Sequence, residues 1–273
     1  MKHINYLDLN NKNSLITGGA GFLAEQHINA VLENNGNVIL IDNNNKKISK
    51  LKKKFKKLQN RVSIFQCDIT NPNEIKKLFN KLKKKDIKIH ILINNASNDY
   101  TPAKINKFKN KIKLENFDHK LWFEDINVGL YGAFLCCKFF GKEMASRGEG
   151  VILNIASDLS IIAPDNRLYN KSSKSINNVK PVTYSIVKHG IIGLTKYIAS
   201  YWGSSNIRCN ALAIGGIQNN QPKQFVKKIS KLIPLGRMAK KNEYKSTIAF
   251  LISDASSYVT GATIVADGGR TII

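Results

Sequence analysis

The sequence predicts an α/β fold: one domain over residues 1–273, built as a doubly wound, seven-stranded parallel sheet with helices on both faces. Three observations carry that expectation. Short apolar runs alternate with helix-period stretches from end to end, the pattern of parallel strands joined by right-handed crossovers. No internal repeat or low-complexity linker interrupts the alternation. Its two longest breaks, 96–117 and 158–181, each follow an expected strand, where the loops of an open α/β sheet rim a ligand crevice.

The strands are expected at 14–17 (SLIT), 37–41 (NVILI), 61–66 (RVSIFQ), 88–93 (KIHILI), 150–155 (GVILNI), 206–212 (NIRCNAL) and 262–266 (ATIVA). Helical patterns fill 21–35, 45–59, 72–85, 118–147, 182–203 and 240–253. Within KKISKLKKKFKKLQN (46–60), for example, Ile48, Leu51, Phe55 and Leu58 make an apolar stripe on an otherwise lysine-covered helix. Stretches near 96–117, 158–181 and 213–235 are expected to be substrate-loop insertions.

Composition narrows the function classes. No apolar run approaches the roughly 20 residues needed to span a bilayer. The opening MKHINYLDLN lacks the apolar centre and small-residue cleavage site of a secretory signal. A cytoplasmic protein is expected, with no membrane partner. The four cysteines (67, 136, 137 and 209) show no metal-ligand spacing and fit reduced, buried thiols. A net charge of +24 raises the question of nucleic acid. Yet six arginines stand against 37 lysines, whereas base and phosphate recognition favours arginine forks and aromatic stacking. A solvated lysine surface explains the charge, and no specific nucleic-acid partner is expected.

SLITGGAGFLAEQH (14–27) runs from strand through glycines into helix. Gly18, Gly19 and Gly21 let the chain turn tightly and bring backbone N–H groups, with the helix N-terminus, against a pyrophosphate. Asp42 ends the next strand, where a carboxylate accepts from both ribose hydroxyls and repels a 2′-phosphate. That favours NAD, while Lys46 and Lys47 leave room for NADP. Capping of the following helix is the structural alternative for Asp42. Asp68 after the third strand has the same two readings, adenine edge or helix cap. Asn94-Asn95-Ala96 closes the fourth strand, where asparagines bond loop backbone and border a cofactor.

TGGAGFLA (17–24), DIT (68–70), NNA (94–96), NIAS (154–157), YSIVK (184–188), RCNAL (208–212) and TGATIVADGG (260–269) stand in one order and spacing. Together they make the chain resemble the short-chain dehydrogenase/reductase family over nearly its full length. The resemblance implies a Rossmann fold, a nicotinamide cofactor, NAD or NADP, and hydride exchange between an alcohol and a carbonyl. It assigns cofactor contacts to Gly18, Gly19, Gly21, Phe22, Leu23, Asp42, Asp68, Ile69, Asn95, Ala96, Lys188, Gly215, Ile217 and Asn219. Catalysis falls to Ser157, Tyr184 and Lys188. Free tyrosine, with a pKa near 10, is a poor base at neutral pH, and a lysine one helical turn away favours tyrosinate. Tyr184 would exchange a proton with the substrate oxygen, Ser157 would hold that oxygen, and Lys188 would also bond the nicotinamide ribose.

Tyr169 is a rival, twelve positions past Ser157, but Ser173 rather than lysine lies one turn beyond it. Choosing Tyr184 lengthens the Ser–Tyr separation and implies an insertion carrying Arg167 and Tyr169. Three positions depart from the family pattern. Gly129 occupies the usual place of a catalytic asparagine, with Asn127 two residues away and so near the opposite helix face. Ile214 replaces a proline, and Asn219 replaces a threonine that meets the carboxamide.

Within the family, IASDLSIIAPDNRLY, KPVTYSIVKHGIIGLTKY and IPLGRMA look most like bacterial oxidoreductases grouped with flagellin modification protein A, which are associated with surface-glycan sugars. The expected substrate is a polyhydroxylated alcohol or ketone of the sugar-phosphate or nucleotide-sugar kind, held by Arg167 and Tyr169, with Lys171 and Lys174 nearby. The alternative is a nucleotide-binding regulator of the same fold that has lost turnover, for which Gly129 is the support. The resemblance further implies a homodimer or homotetramer paired through 118–147 and 182–203.

Overall fold

The computed structural model describes residues 5–170 and 178–273. Lys171, Ser173 and Lys174 lie outside the described residues. Strands β1 (Asn13–Thr17), β2 (Asn37–Asp42), β3 (Val62–Gln66), β4 (Ile91–Asn94), β5 (Gly150–Ile155), β6 (Ile207–Ile214) and β7 (Thr263–Ala266) form one sheet in the order β3-β2-β1-β4-β5-β6-β7. Every pairing is parallel, with Leu15 in register with both Ile39 and Leu92. Each expected strand is present, and the single α/β domain is the fold.

The strands are buried on both faces, so they read as continuous apolar runs. Successive side chains point to opposite faces. Ile16, Leu40, Ile93 and Leu153 pack against helices α1 (Ala24–Leu32) and α10 (Lys245–Ile252). Leu15, Ile41, Leu92 and Ile152 face the other layer, which holds α3 (Pro72–Lys84), the rod formed by α5 (His119–Ile126), α6 (Gly132–Cys136) and α7 (Lys142–Arg147), and α8 (Val182–Trp202). Short α2 (Asn45–Lys54) follows β2. All four cysteines are free and buried.

The expected helix over 118–147 is one rod in helical φ/ψ, but π turns at Asn127–Tyr131 and Cys137–Gly141 interrupt it. Such turns recur beside functional sites. The polar stretches are also more structured than their composition predicts. Residues 96–117 contain α4 (Pro102–Phe108) and two 3₁₀ turns, and 213–235 contains α9 (Lys223–Ser230). Both are short helices held by a few apolar residues, Ile105 in one and Phe225 and Ile229 in the other, which are buried against the domain. The last helix begins at Lys245 rather than near 240.

Candidate active site

After β3 the chain returns to the far side of β1 to lay down β4. The loops leaving β1 and β4 therefore diverge, and a crevice opens at their C-terminal ends. It encloses about 500 Å³ and is walled by the ends of β1, β2, β4, β5 and β6.

Gly18 forms the floor beneath β1. Its φ is +61°, and a Cβ there would lie 2.9 Å from the Ala96 Cα, so backbone meets backbone at this turn. Asn95 fixes the approach. Its side-chain amide donates to the Thr17 and Gly18 carbonyls (3.0 and 3.2 Å), while Thr17 Oγ1 accepts from the N–H groups of Asn95 and Ala96. Asn95 Oδ1 in turn faces His27 Nε2 at 2.9 Å. Because the amide oxygen only accepts, Nε2 carries the proton, and buried Nδ1 is left without a partner among the described residues.

His27 thus braces the glycine turn as a neutral ring, and burial draws its pKa down to about 4. The unfolded chain takes up a proton below about pH 6.5 that the folded chain refuses, so stability is intact above that value and falls as pH drops toward 4. Between roughly pH 7 and pH 5 the loss assigned to His27 is about 2 kcal/mol. Urea unfolding of the wild type and His27→Gln at both pH values measures it. The acid loss is expected to be smaller in the variant by about that amount.

Asp42 lines the crevice and does not cap α2. Its carboxylate accepts from the Ala20 N–H (3.0 Å) and the Asn44 N–H (2.9 Å), while Asn44 caps α2 by accepting from Lys47. Asp68 accepts from the Thr70 N–H and hydroxyl, and Asn71 caps α3. The crevice wall includes Gly18, Gly21, Phe22, Leu23, Asp42, Asn95, Ala96, Gly215, Ile217 and Asn219, but not Gly19, Asp68 or Ile69. Gly19 packs on Leu40, and Ile69 packs on Gly132.

At the inner end, Ser157 leaves β5 and Tyr184 and Lys188 come from the first turns of α8. All three line the crevice together with Tyr169. Lys188 Nζ donates to the Ile155 carbonyl at 2.8 Å, and burial lowers its pKa to about 8. Tyr184 is shifted the opposite way from the sequence expectation. Burial raises its pKa, the negative charge of Asp99 adds to the rise, and a hydrogen bond with Ser157 only partly opposes it. The lysine that the sequence places one turn away lies 5.7 Å from the ring centroid. In this site desolvation outweighs the cation, so the phenol rests protonated.

Gly129 is more than a missing asparagine. A Cβ there would lie 2.4 Å from Val187 Cγ1, so the side chain preceding Lys188 fills the space. Asn127 is exposed and does not replace it. Arg167 also points away, 71% exposed and forked onto its neighbour Asp165. Tyr169, by contrast, packs against Phe225 with centroids 5.5 Å apart.

Sequence reading missed four chamber residues. Asp158 accepts from Ser157 Oγ at 2.8 Å and pairs with buried Arg270. Lys180 covers the Tyr184 ring and pairs with Asp99. Buried Asp125, near the chamber, collects hydrogen bonds from Asn98, Tyr100 and Thr183, tying the β4 loop and the start of α8 to α5. The charge of Asp158 beside NIAS and the lysine four positions before Tyr184 were the available signals.

The residues fit a nicotinamide dinucleotide: a glycine turn admitting no Cβ, a carboxylate at the end of β2, and a buried lysine at the inner end. Residues 23–271 match the family model described as enoyl-(acyl carrier protein) reductase. The NAD-dependent glycerol dehydrogenase of Listeria innocua is 29% identical over 275 residues, covering 97% of this chain and 96% of that one. The post-translational flagellin modification protein A of Campylobacter coli is 28% identical over 262 residues, covering 96% and 98%. The crystal structure of a short chain dehydrogenase from Leptospira borgpetersenii with bound NAD+ superposes with a TM-score of 0.83 at 30% identity, covering 99% and 97%. The chain belongs to the short-chain dehydrogenase/reductase family and is an NAD(P)-dependent oxidoreductase.

Proposed function

We propose that the enzyme interconverts a secondary alcohol and a ketone on a small polyhydroxylated substrate, a sugar derivative destined for surface glycan, with NAD as the preferred cofactor. The observation that carries this reading is the convergence of Ser157, Tyr184 and Lys188 in a chamber whose wall also holds the Lys180–Asp99 and Arg270–Asp158 pairs beside apolar Phe225, Ile229 and Met238. Such a wall offers donors and acceptors to many hydroxyl groups. A bound nicotinamide supplies or accepts the hydride. The Tyr184 phenol gives its proton to the substrate oxygen in reduction and takes it back in oxidation. The Ser157 hydroxyl, now donating to Asp158, turns to donate to that oxygen as charge develops on it. Lys188, anchored on Ile155, places its ammonium beside the phenol and the ribose site.

Asp42 supports NAD because its carboxylate opposes a 2′-phosphate, although Lys47 also lines the crevice. Polyols, sugar alcohols and their ketones, assayed by nicotinamide absorbance, test the reading. Turnover is expected with kcat/KM at least roughly tenfold higher for NAD. Cofactor binding without absorbance change for any polyol would instead favour the regulator, the reading that Gly129 and Val187 support.

Pairing into a homodimer or homotetramer is part of the proposal. Phe123, Tyr131, Phe134, Ile186, Tyr197 and Tyr201 leave large apolar surfaces exposed on α5, α8 and the first π turn and α6 between them. Among the described residues no helix is long and apolar enough to cross a membrane. Four free thiols accord with the cytoplasm.

A further inference from the structure

Lys180 stands four positions before Tyr184, in the non-helical start of the KPVTY segment that leads into α8. Its ammonium lies 3.9 Å from the Tyr184 ring centroid, closer than that of Lys188. It donates to the Tyr100 carbonyl at 3.1 Å and to Asp99 Oδ1 at 3.3 Å, and its backbone N–H donates to Asn166 Oδ1. The catalytic phenol is therefore flanked by two lysines. Both line the crevice.

The two members of the Lys180–Asp99 pair are unequally placed. The Lys180 side chain is 8% exposed and that of Asp99 is 61% exposed. An exposed carboxylate loses little when it trades an ion pair for water. A buried ammonium stripped of its anion loses a great deal. Burial already draws the Lys180 pKa down, and Asp99 opposes the fall. Arg270 is unlike it, because both Arg270 and its partner Asp158 are almost wholly buried and the pair has no mobile member. At the mouth, Lys104 donates to the Asp99 carbonyl, adding a second cation near the same carboxylate.

We propose that Lys180 is a substrate-binding residue that exchanges Asp99 for an anionic group of the substrate, a carboxylate or a phosphate, and so selects acidic polyols over neutral ones. This role presupposes the reading of Tyr184 as the proton-transfer group. The bound anion takes over as counter-ion to the buried ammonium, and the displaced Asp99 carboxylate, already 61% exposed, passes to water.

Calorimetric titration of the NADH-loaded enzyme, which cannot oxidise an alcohol, in a buffer free of carboxylate and phosphate, tests the exchange with three ligands. D-Gluconate, D-glucitol 6-phosphate and D-glucitol share a carbon chain and end in a carboxylate, a phosphate ester or a hydroxyl. At least one anion is expected to bind roughly tenfold or more tightly than glucitol, and which one does so separates carboxylate from phosphate recognition. Lys180→Met should bring the ratio to about one. Asp99→Asn, a change at an exposed side chain, should tighten the anion several-fold by removing its competitor. Equal binding of all three ligands, a preference that survives Lys180→Met, or weaker anion binding in Asp99→Asn would each overturn the proposal. Because binding is read without turnover, failure of the hydride chemistry with anion preference intact would count against the catalytic reading alone.

Discussion

Tyr184→Phe is expected to lower kcat by about 10²- to 10⁴-fold, with NAD+ affinity and thermal midpoint close to the wild type. The substitution removes one oxygen and keeps the ring that Lys180 covers, so packing changes little. What disappears is the group proposed to exchange a proton with the substrate oxygen. Steady-state kinetics in both directions, with NAD+ titrated separately, measure the effect. The pH dependence of the wild type sharpens it. Burial holds the phenol pKa above its ordinary value, so the proton needed for ketone reduction is in place at neutral pH. Reduction should then be nearly flat across neutral pH, whereas alcohol oxidation, which needs the phenolate, should climb with pH. A variant that retains wild-type kcat would remove Tyr184 from the chemistry and direct attention to Tyr169, which shares the chamber.

The sequence made the scaffold legible because strands buried on both faces leave unbroken apolar runs, and each run appears in the sheet at nearly its expected bounds. The crevice was legible for a related reason: glycines at 18 and 21 and Asp42 serve backbone geometry and charge at strand ends, which local sequence records. Relations between distant segments were not. Arg270 pairs with a residue 112 positions earlier. Gly129 reads as a missing asparagine until Val187, 58 positions later in the chain, is seen against it. The tyrosine–lysine spacing brings two side chains to one crevice, but the sign of the phenol's shift depended on burial, which spacing does not contain. Arg167 illustrates the opposite error, since a basic residue in a crevice-side loop satisfied itself on a carboxylate two positions away.

Arg270→Met is expected to destabilise the fold by about 3–5 kcal/mol, since it leaves a buried carboxylate without its partner. The two side chains of this pair are 6% and 5% exposed, and Asp158 also accepts from Ser157 Oγ and from the Leu159 N–H. Arg270 therefore neutralises the charge on which the serine hydroxyl is oriented, acting from near the C-terminal end of the chain on the turn after β5. Urea unfolding with NAD+ absent, and with the denaturant slope compared between variants, measures the loss. Adding Asp158→Asn to Arg270→Met removes the stranded charge while keeping an oxygen that can accept from Ser157. The double variant should recover at least half of the lost stability, because breaking a buried pair costs far more than replacing it. Ketone reduction should recover less, since the amide holds the Ser157 proton more weakly than a carboxylate does. A double variant as unstable as the single one would mean that packing of the arginine stem, and not its charge, holds the turn.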